Sequence, residues 1–241
     1  MERDPIKDFY KTHYAKIMLT NHMRHRISLT LDSIKKFSSS FDNILEIGCG
    51  TGENLAFYKD QFKFKNAYCI EISEEAYNSI KEKGIMPFIK DVNKDDIPLD
   101  NNIIDVVIFQ EVIEHLYNSD LVMKEIYRVL RKNGILILST PNLSSWINRL
   151  VLLFGYQPFS HDVSFIAGFG RIKFKEQTNG HIKSFTLKAM KEYLTYFGYN
   201  ILEVKGVEAD GAGNKLIETL DKFFSHFPSL APHMFIVARK Q

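Results

Sequence analysis

The stretch Asn43-Ile-Leu-Glu-Ile-Gly-Cys-Gly-Thr-Gly52 decides how this chain reads. NILEI is a short, largely apolar run of strand character, and it leads straight into three glycines at alternate positions, Gly48, Gly50 and Gly52. Glycine lets the backbone turn sharply there and, having no Cβ, lets a ligand come close to the main chain. A helix-compatible segment, Glu53 to Phe62, follows, so the unit is strand, tight turn, helix. Turns of this kind hold dinucleotides, phosphates or adenosyl groups. The dinucleotide fingerprint G-x-G-x-x-G fails, because Glu53 and Leu55 stand where its last glycine would fall for the two possible starts. The segment also lacks the Lys-Ser/Thr pair of a P-loop, which argues against a nucleoside triphosphate.

Working outward, the same pattern recurs. Ala67 to Ile72 reads as a second strand, and Ser73 with Glu74, Glu75 and Ala76 opens a helix that Gly84 closes. Ile85 to Lys90, Ile103 to Phe109 and Gly134 to Ser139 give strands three to five, with a helix from Leu121 to Leu130 before the fifth. Upstream, Ile27, Leu31 and Ile34 lie at helical spacing within Arg24 to Phe37. After Pro141 the alternation stops for more than forty residues rich in aromatics, Gly and Lys. A helix from Thr186 to Phe197 then resumes it, and strands near Tyr199 to Val204 and His233 to Ala238 flank a last helix, Asn214 to Phe227. The expected fold is α/β: a seven-stranded, mostly parallel sheet with helices on both faces and a long insertion after the fifth strand. We expect a single domain made of a helical N-terminal segment (1–40), a core built around the glycine turn (42–142), the insertion (143–185) and the closing helices and strands (186–241).

Composition narrows the class. The 241 residues are 45% hydrophobic, and 31 basic against 29 acidic side chains give a formal charge of +2 with no block of like charge, so nucleic acid is not an expected partner. Cys49 and Cys69 lie inside apolar segments, so no disulfide is expected and a reducing, cytoplasmic setting is inferred. MERDPIKDFYKTHYAKIM lacks the apolar core of a signal peptide, and the apolar runs fall short of a membrane span, so stable membrane anchoring is not expected. WINRLVLLFGY, Trp146 to Tyr156, is read either as a buried or cap helix or as a surface that touches lipid. Trp146 and Phe154 are expected to belong to a satellite core. No H-x-x-x-H, C-x-x-C or His-Asp cluster at ligand spacing is present, so no metal is expected.

Glu46-Ile-Gly-Cys-Gly-Thr-Gly52 resembles the first motif of class I S-adenosylmethionine-dependent methyltransferases. IEISEEA resembles their second-strand motif, KDV their third-strand element, FQEVIEHL their fourth-strand ending, and LRKNGILILSTPN the helix and strand beyond it. These segments span roughly residues 42 to 142; HIKSFTLKAM and FIVARK extend the likeness to small-molecule and glycan methyltransferases. The resemblance implies a Rossmann-like fold in which 1–40 is a helical N-terminal lid, 42–142 the cofactor-binding core and 143–185 an acceptor-side cap insertion. It also implies S-adenosyl-L-methionine as cofactor, bound by Glu46, Gly48, Cys49, Gly50, Gly52, Glu71, Ile72, Asp91, Val92 and Gln110. Glu71 would receive the ribose hydroxyls, Asp91 the adenine amino group and the Val92 amide a ring nitrogen. Tyr14 would shield the sulfonium, and Tyr10, His13, Arg24 and Arg26 lie in segments that cross the cleft in resembling enzymes. The residues alone leave other uses open: Glu46 could orient the glycine turn, Asp91 could be a turn residue, and Cys49 reads as a small structural side chain rather than a nucleophile.

Methyl transfer from a sulfonium is an in-line displacement, so the protein aligns the acceptor, excludes water and removes the acceptor's proton where there is one. His181, in GHIKSFT, is the first candidate base, with His115 and Glu111 as rivals and Asn142 nearby. His161, Phe165, Phe169, Arg171 and Phe185 are further cap residues. The expected reaction is transfer to O or N of a small polar acceptor, a sugar, nucleotide-sugar or glycan precursor. The alternatives are a quinol or lipid-linked phenol and, in another class, a non-catalytic cofactor-binding partner or sensor. Neither the acceptor nor the oligomeric state is written in the sequence.

Overall fold

The computed structural model describes residues 21–173, 176–209 and 215–241. The elements run α1 (Asn21–Phe37), β1 (Asn43–Ile47), α2 (Glu53–Phe62), β2 (Asn66–Glu71), α3 (Tyr77–Glu82), β3 (Met86–Ile89), β4 (Ile104–Gln110), α4 (Ser119–Val129), β5 (Leu130–Pro141), α5 (Trp146–Leu153), α6 (Leu187–Tyr196), β6 (Tyr199–Val207), α7 (Lys215–Ser225) and β7 (His233–Lys240). They build one seven-stranded sheet in the order β3-β2-β1-β4-β5-β7-β6. The first five strands are parallel; β7 runs antiparallel to both its neighbours.

Both faces of the sheet are buried, which explains why its strands read as nearly continuous apolar runs. Successive residues alternate between two cores. Ile44, Val106, Ile108, Ile135, Ile137 and Phe235 meet Leu29 and Ile34 of α1 and Leu55 and Tyr58 of α2. Leu45, Val107, Phe109, Leu136 and Ile236 meet Val122, Met123 and Ile126 of α4 and Met190 and Leu194 of α6. The described part of the expected N-terminal lid, α1, is therefore a sheet-covering layer. Helix starts follow from side-chain caps: Asn118 accepts from the Leu121 amide, Ser145 from Asn148 and Thr186 from Ala189.

Strand order reverses at β1, from which the sheet grows toward β2 on one side and toward β4 on the other. In open α/β sheets a crevice forms at the carboxyl ends of the strands at such a point. The glycine loop after β1 lies there.

Candidate active site

The cleft at this switch point is lined by Ile47 and Gly48 after β1, Ile70, Glu71 and Ile72 at β2, Asp91 and Val92 after β3, and Glu111, Val112, His115 and Leu116 after β4. Gly48 has φ +74, and a Cβ built there would stand 2.5 Å from Cγ2 of Val112, so the turn requires glycine on both counts. The Gly50 amide donates to Glu71 Oε2 at 2.8 Å, while Glu71 Oε1 accepts from the amides of Ile72 at 2.8 Å and Ser73 at 3.1 Å. One carboxylate thus fastens the glycine loop to the end of β2.

That is the task sequence reading had offered to Glu46. Glu46 is instead buried with an Oε2 that accepts no hydrogen bond. Burial pushes its pKa up to about 8, reinforced by Glu71 and opposed by Arg26. Asp91 lines the cleft, but its Oδ1 accepts from the amide and side chain of Asn93, both at 3.0 Å, so the carboxylate also organises its own turn. Gln110 donates to Thr30 of α1 at 3.1 Å and is not among the residues lining this cleft. Tyr10, His13 and Tyr14 lie outside the described residues.

Cys49 and Cys69 form a disulfide, against expectation. The parallel register sets Glu46 beside Cys69, and the loop after β1 folds back over β2, leaving the two Cα atoms 6.0 Å apart. Separation along the chain hid a pair that strand pairing creates. The inference of a reducing compartment rested on unpaired thiols and loses that support. No helix among the described residues is long and apolar enough to cross a membrane.

At the end of the cleft after β4, Glu111 has φ +54, a left-handed conformation that is costly for a side chain larger than glycine and concentrates at functional sites. Three elements hold it there. Ser139 Oγ of β5 donates to Oε1 at 2.7 Å, Arg26 of α1 lies 3.3 Å from Oε1, and His233 Nδ1 of β7 lies 3.0 Å from Oε2. Sequence reading missed His233. Antiparallel β7 places its first residue opposite Pro141, at the carboxyl ends of the parallel strands, and only that pairing reveals it.

Glu114 was missed as well. It is 1% exposed, takes a hydrogen bond from Thr140 on Oε2 at 2.9 Å, and has a pKa held well above the usual carboxylate range by burial and by Glu111. Beside it, His115 Nδ1 lies 3.1 Å from the Gly180 carbonyl and its ring meets that of His181 with centroids 4.9 Å apart. His181, the expected base, has its pKa lowered to about 3 by burial first and by the neighbouring His115 second. An imidazole so hard to protonate suits lone-pair donation better than proton uptake.

The cap positions His181 through a buried ion pair. Arg171 donates to Asp162 Oδ1 at 2.6 Å, and Asp162 Oδ2 accepts from the amides of Asn179 and His181. His161 turns to Ser184 at 3.1 Å, and Asn142, fully buried, donates to the carbonyls of Ser229 and Ala231, a structural clamp. Trp146 packs as expected, stacked on Phe224 and donating to Asp221 at 2.6 Å. Phe154 does not: it is 69% exposed, at the end of an α5 whose outer face carries Leu150, Leu152 and Leu153 into solvent.

A doubly wound sheet with a glycine loop at its switch point and carboxylates closing the next two strands defines a Rossmann-like enzyme that binds a nucleoside-bearing cofactor. A family model described as a methyltransferase domain matches residues 19–204, more than half of the chain, and the chain belongs to that family. The chain is 25% identical to an uncharacterized protein of Methanocaldococcus jannaschii over 99% of its own length and 92% of the relative's. It is 30% identical over 100 residues, 42% of this chain and 38% of the other, to a protein of Mycolicibacterium smegmatis named a probable S-adenosylmethionine-dependent methyltransferase. Its fold is similar to that of the N-methyltransferase NodS of Bradyrhizobium japonicum, solved with S-adenosyl-L-homocysteine, at a TM-score of 0.63, with 12% identity and 99% of each chain covered.

Proposed function

We propose that this methyltransferase moves the methyl group of S-adenosyl-L-methionine to an oxygen or nitrogen of a small polar acceptor, with a sugar, nucleotide-sugar or glycan precursor as the favoured class. The observation that carries the reading is the continuity of the cleft. An apolar slot bounded by Ile70, Ile72, Val92 and Leu116, with the carboxylates of Glu71 and Asp91 at its wall, opens onto the polar end formed by Glu111 and His115. The slot suits an adenosyl group: flat apolar walls for the base, carboxylate acceptors for hydroxyl and amino donors, and a glycine turn that a Cβ would block.

When bound, the cofactor supplies an electrophilic methyl and its own leaving group. The chain's residues do the rest. Gly48, Glu71, Asp91 and Val92 seat the cofactor, Glu111 and His115 face the acceptor, and the cap with His181 closes over it. Titration calorimetry tests the first half, with micromolar affinity for S-adenosylmethionine and S-adenosylhomocysteine expected, on the order of −7 to −8 kcal/mol. Protein freed of copurified ligand that binds neither would end this reading. Release of S-adenosylhomocysteine in a screen of sugars and nucleotide-sugars tests the second.

One observation favours a second acceptor class, a quinol or lipid-linked phenol. Leu150, Leu152, Leu153, Phe154 and Tyr156 of the α5 region are exposed together with Phe165, Ile166, Phe169 and Ile172 of the cap. Large exposed apolar side chains in such number commonly mark a surface that meets lipid or another protein. Activity that sediments with phospholipid vesicles and needs an apolar tail on the acceptor would select this class over the first.

A further inference from the structure

The richest cluster that the cofactor reading leaves unused lies just beyond the cleft wall. The turn after β4 sets Glu114 and His115 side by side, and the cap is laid across that turn: the amides of Ile182 and Lys183 both donate to the Glu114 carbonyl, at 2.9 and 3.0 Å. This brings His181, distant in sequence, against His115. One carboxylate oxygen of Glu114 and one ring nitrogen of each histidine lie within 4.8 Å of one another.

The donors are poised for something the chain itself does not provide. Glu114 Oε1 is buried and accepts no hydrogen bond, and Nδ1 of His181 is buried without one too. Leaving two such atoms unsatisfied is costly unless a partner arrives. His115 Nδ1 faces a carbonyl, which can only accept, so the proton of the neutral ring sits on Nδ1 and the lone pair on Nε2. That Nε2 stands 3.9 Å from Glu114 Oε1. The separation is too long for a hydrogen bond, yet near the ~3.4 Å expected between two ligands about 2.1 Å from a shared tetrahedral ion.

We propose that Glu114, His115 and His181 bind a divalent first-row transition cation, of the zinc or manganese type, at the acceptor end of the cleft. Two imidazoles and one carboxylate are the donors such cations prefer; calcium and magnesium favour all-oxygen sets. The second shell is already built: the Gly180 carbonyl fixes the His115 tautomer, Thr140 holds the other oxygen of Glu114, and the Asp162–Arg171 pair steadies the backbone at His181. Three protein ligands leave a coordination position open, and His115 lines the cleft into which it would face.

The consequence for chemistry rests on the methyl-transfer reading. An acceptor hydroxyl at the open position ionises near neutral pH, its proton passing to solvent. Its oxygen then forms the bond to the methyl carbon while the carbon–sulfur bond breaks, and the electron pair left on sulfur yields a neutral thioether.

The test uses untagged, full-length protein treated with chelator, dialysed, and titrated with Co²⁺ followed by visible absorption, then with Zn²⁺ followed by elemental analysis. About one ion per chain is expected, with ligand-field bands of a nitrogen–oxygen site. Glu114→Gln and His181→Ala should each weaken binding by about tenfold to a hundredfold, while His226→Ala, on the exposed end of α7, should bind as wild type. S-adenosylhomocysteine binding, measured in parallel, reports folding and the cofactor reading separately. Wild-type protein that takes up no Co²⁺ or Zn²⁺ overturns the proposal whatever the variants do, and so does undiminished affinity in His181→Ala. Metal uptake without S-adenosylhomocysteine binding would instead sustain the cation site and overturn the cofactor assignment.

Discussion

At the scale of single residues, two carboxylates at the ends of neighbouring strands carry opposite burdens. Glu71 is satisfied by three backbone amides and so ties cofactor site and glycine loop together. Glu71→Ala should weaken S-adenosylhomocysteine binding by roughly 1.5 to 3 kcal/mol and lower the melting temperature as well. A variant that lost affinity at unchanged stability would place the loop's anchorage elsewhere. Glu46 is the converse, a buried carboxyl whose pKa rises from the ordinary 4.5 to about 8 on folding. The folded chain holds that proton more tightly, so stability is fully present below pH 4.5 and declines as pH climbs toward 8. Glu46→Gln cannot ionise. Its stability relative to wild type should therefore increase across that window, by about 4 to 5 kcal/mol in total, as read from denaturant melts at successive pH values. Parallel pH profiles for the two proteins would show that Glu46 is charged throughout.

At the scale of elements, the loops after β1 and β4 and the cap do the work, and each has a distinct fastening. The Cys49–Cys69 bridge staples the glycine loop to β2. Reducing it, or replacing Cys69 by Ala, should cost about 3 kcal/mol, the order expected for a bridge that closes a loop of this length. An unchanged melting temperature with and without reductant would contradict that. In the cap, Asp162 and Arg171 have side chains 2% and 1% exposed, so Asp162→Ala strands a buried guanidinium at a cost of about 3 to 5 kcal/mol. Because Asp162 also holds the amides of Asn179 and His181, turnover should collapse in this variant while S-adenosylhomocysteine affinity stays near wild type. Equal losses in both would mean that cap and cofactor half are one cooperative unit.

At the scale of the whole molecule, the two halves of the site differ in how far sequence discloses them. The proposed cofactor half comes from strand ends and the turns that directly follow them, so the resemblance of short contiguous motifs is enough to point to Gly48, Glu71, Asp91 and Val92. The proposed acceptor half draws Arg26 from α1, Glu111, Glu114 and His115 from the turn after β4, His181 from the cap and His233 from β7. No spacing rule joins these positions; they meet through the antiparallel pairing of β7 and the crossing of the cap over β4. The burial that shifts Glu46, Glu114 and His181 away from ordinary titration is likewise a property of packing. The exposed apolar residues of α5 could be read as either core or surface from periodicity, and only the three-dimensional path of the chain decides it.

The place of β7 between β5 and β6 has a consequence for biogenesis. On the ribosome, β5 is complete once Pro141 has emerged, yet its open edge waits for a strand that begins at His233. Those intervening 90 or so residues take roughly 5 to 20 seconds to synthesise at ordinary elongation rates. For that interval the nascent chain presents a long apolar strand, Ile135 to Leu138, with unpaired amides and carbonyls, the kind of edge that recruits other chains. Ribosome-bound chains stalled before residue 233 should therefore be captured by holdase chaperones and protease-sensitive, and chains released beyond residue 240 should not.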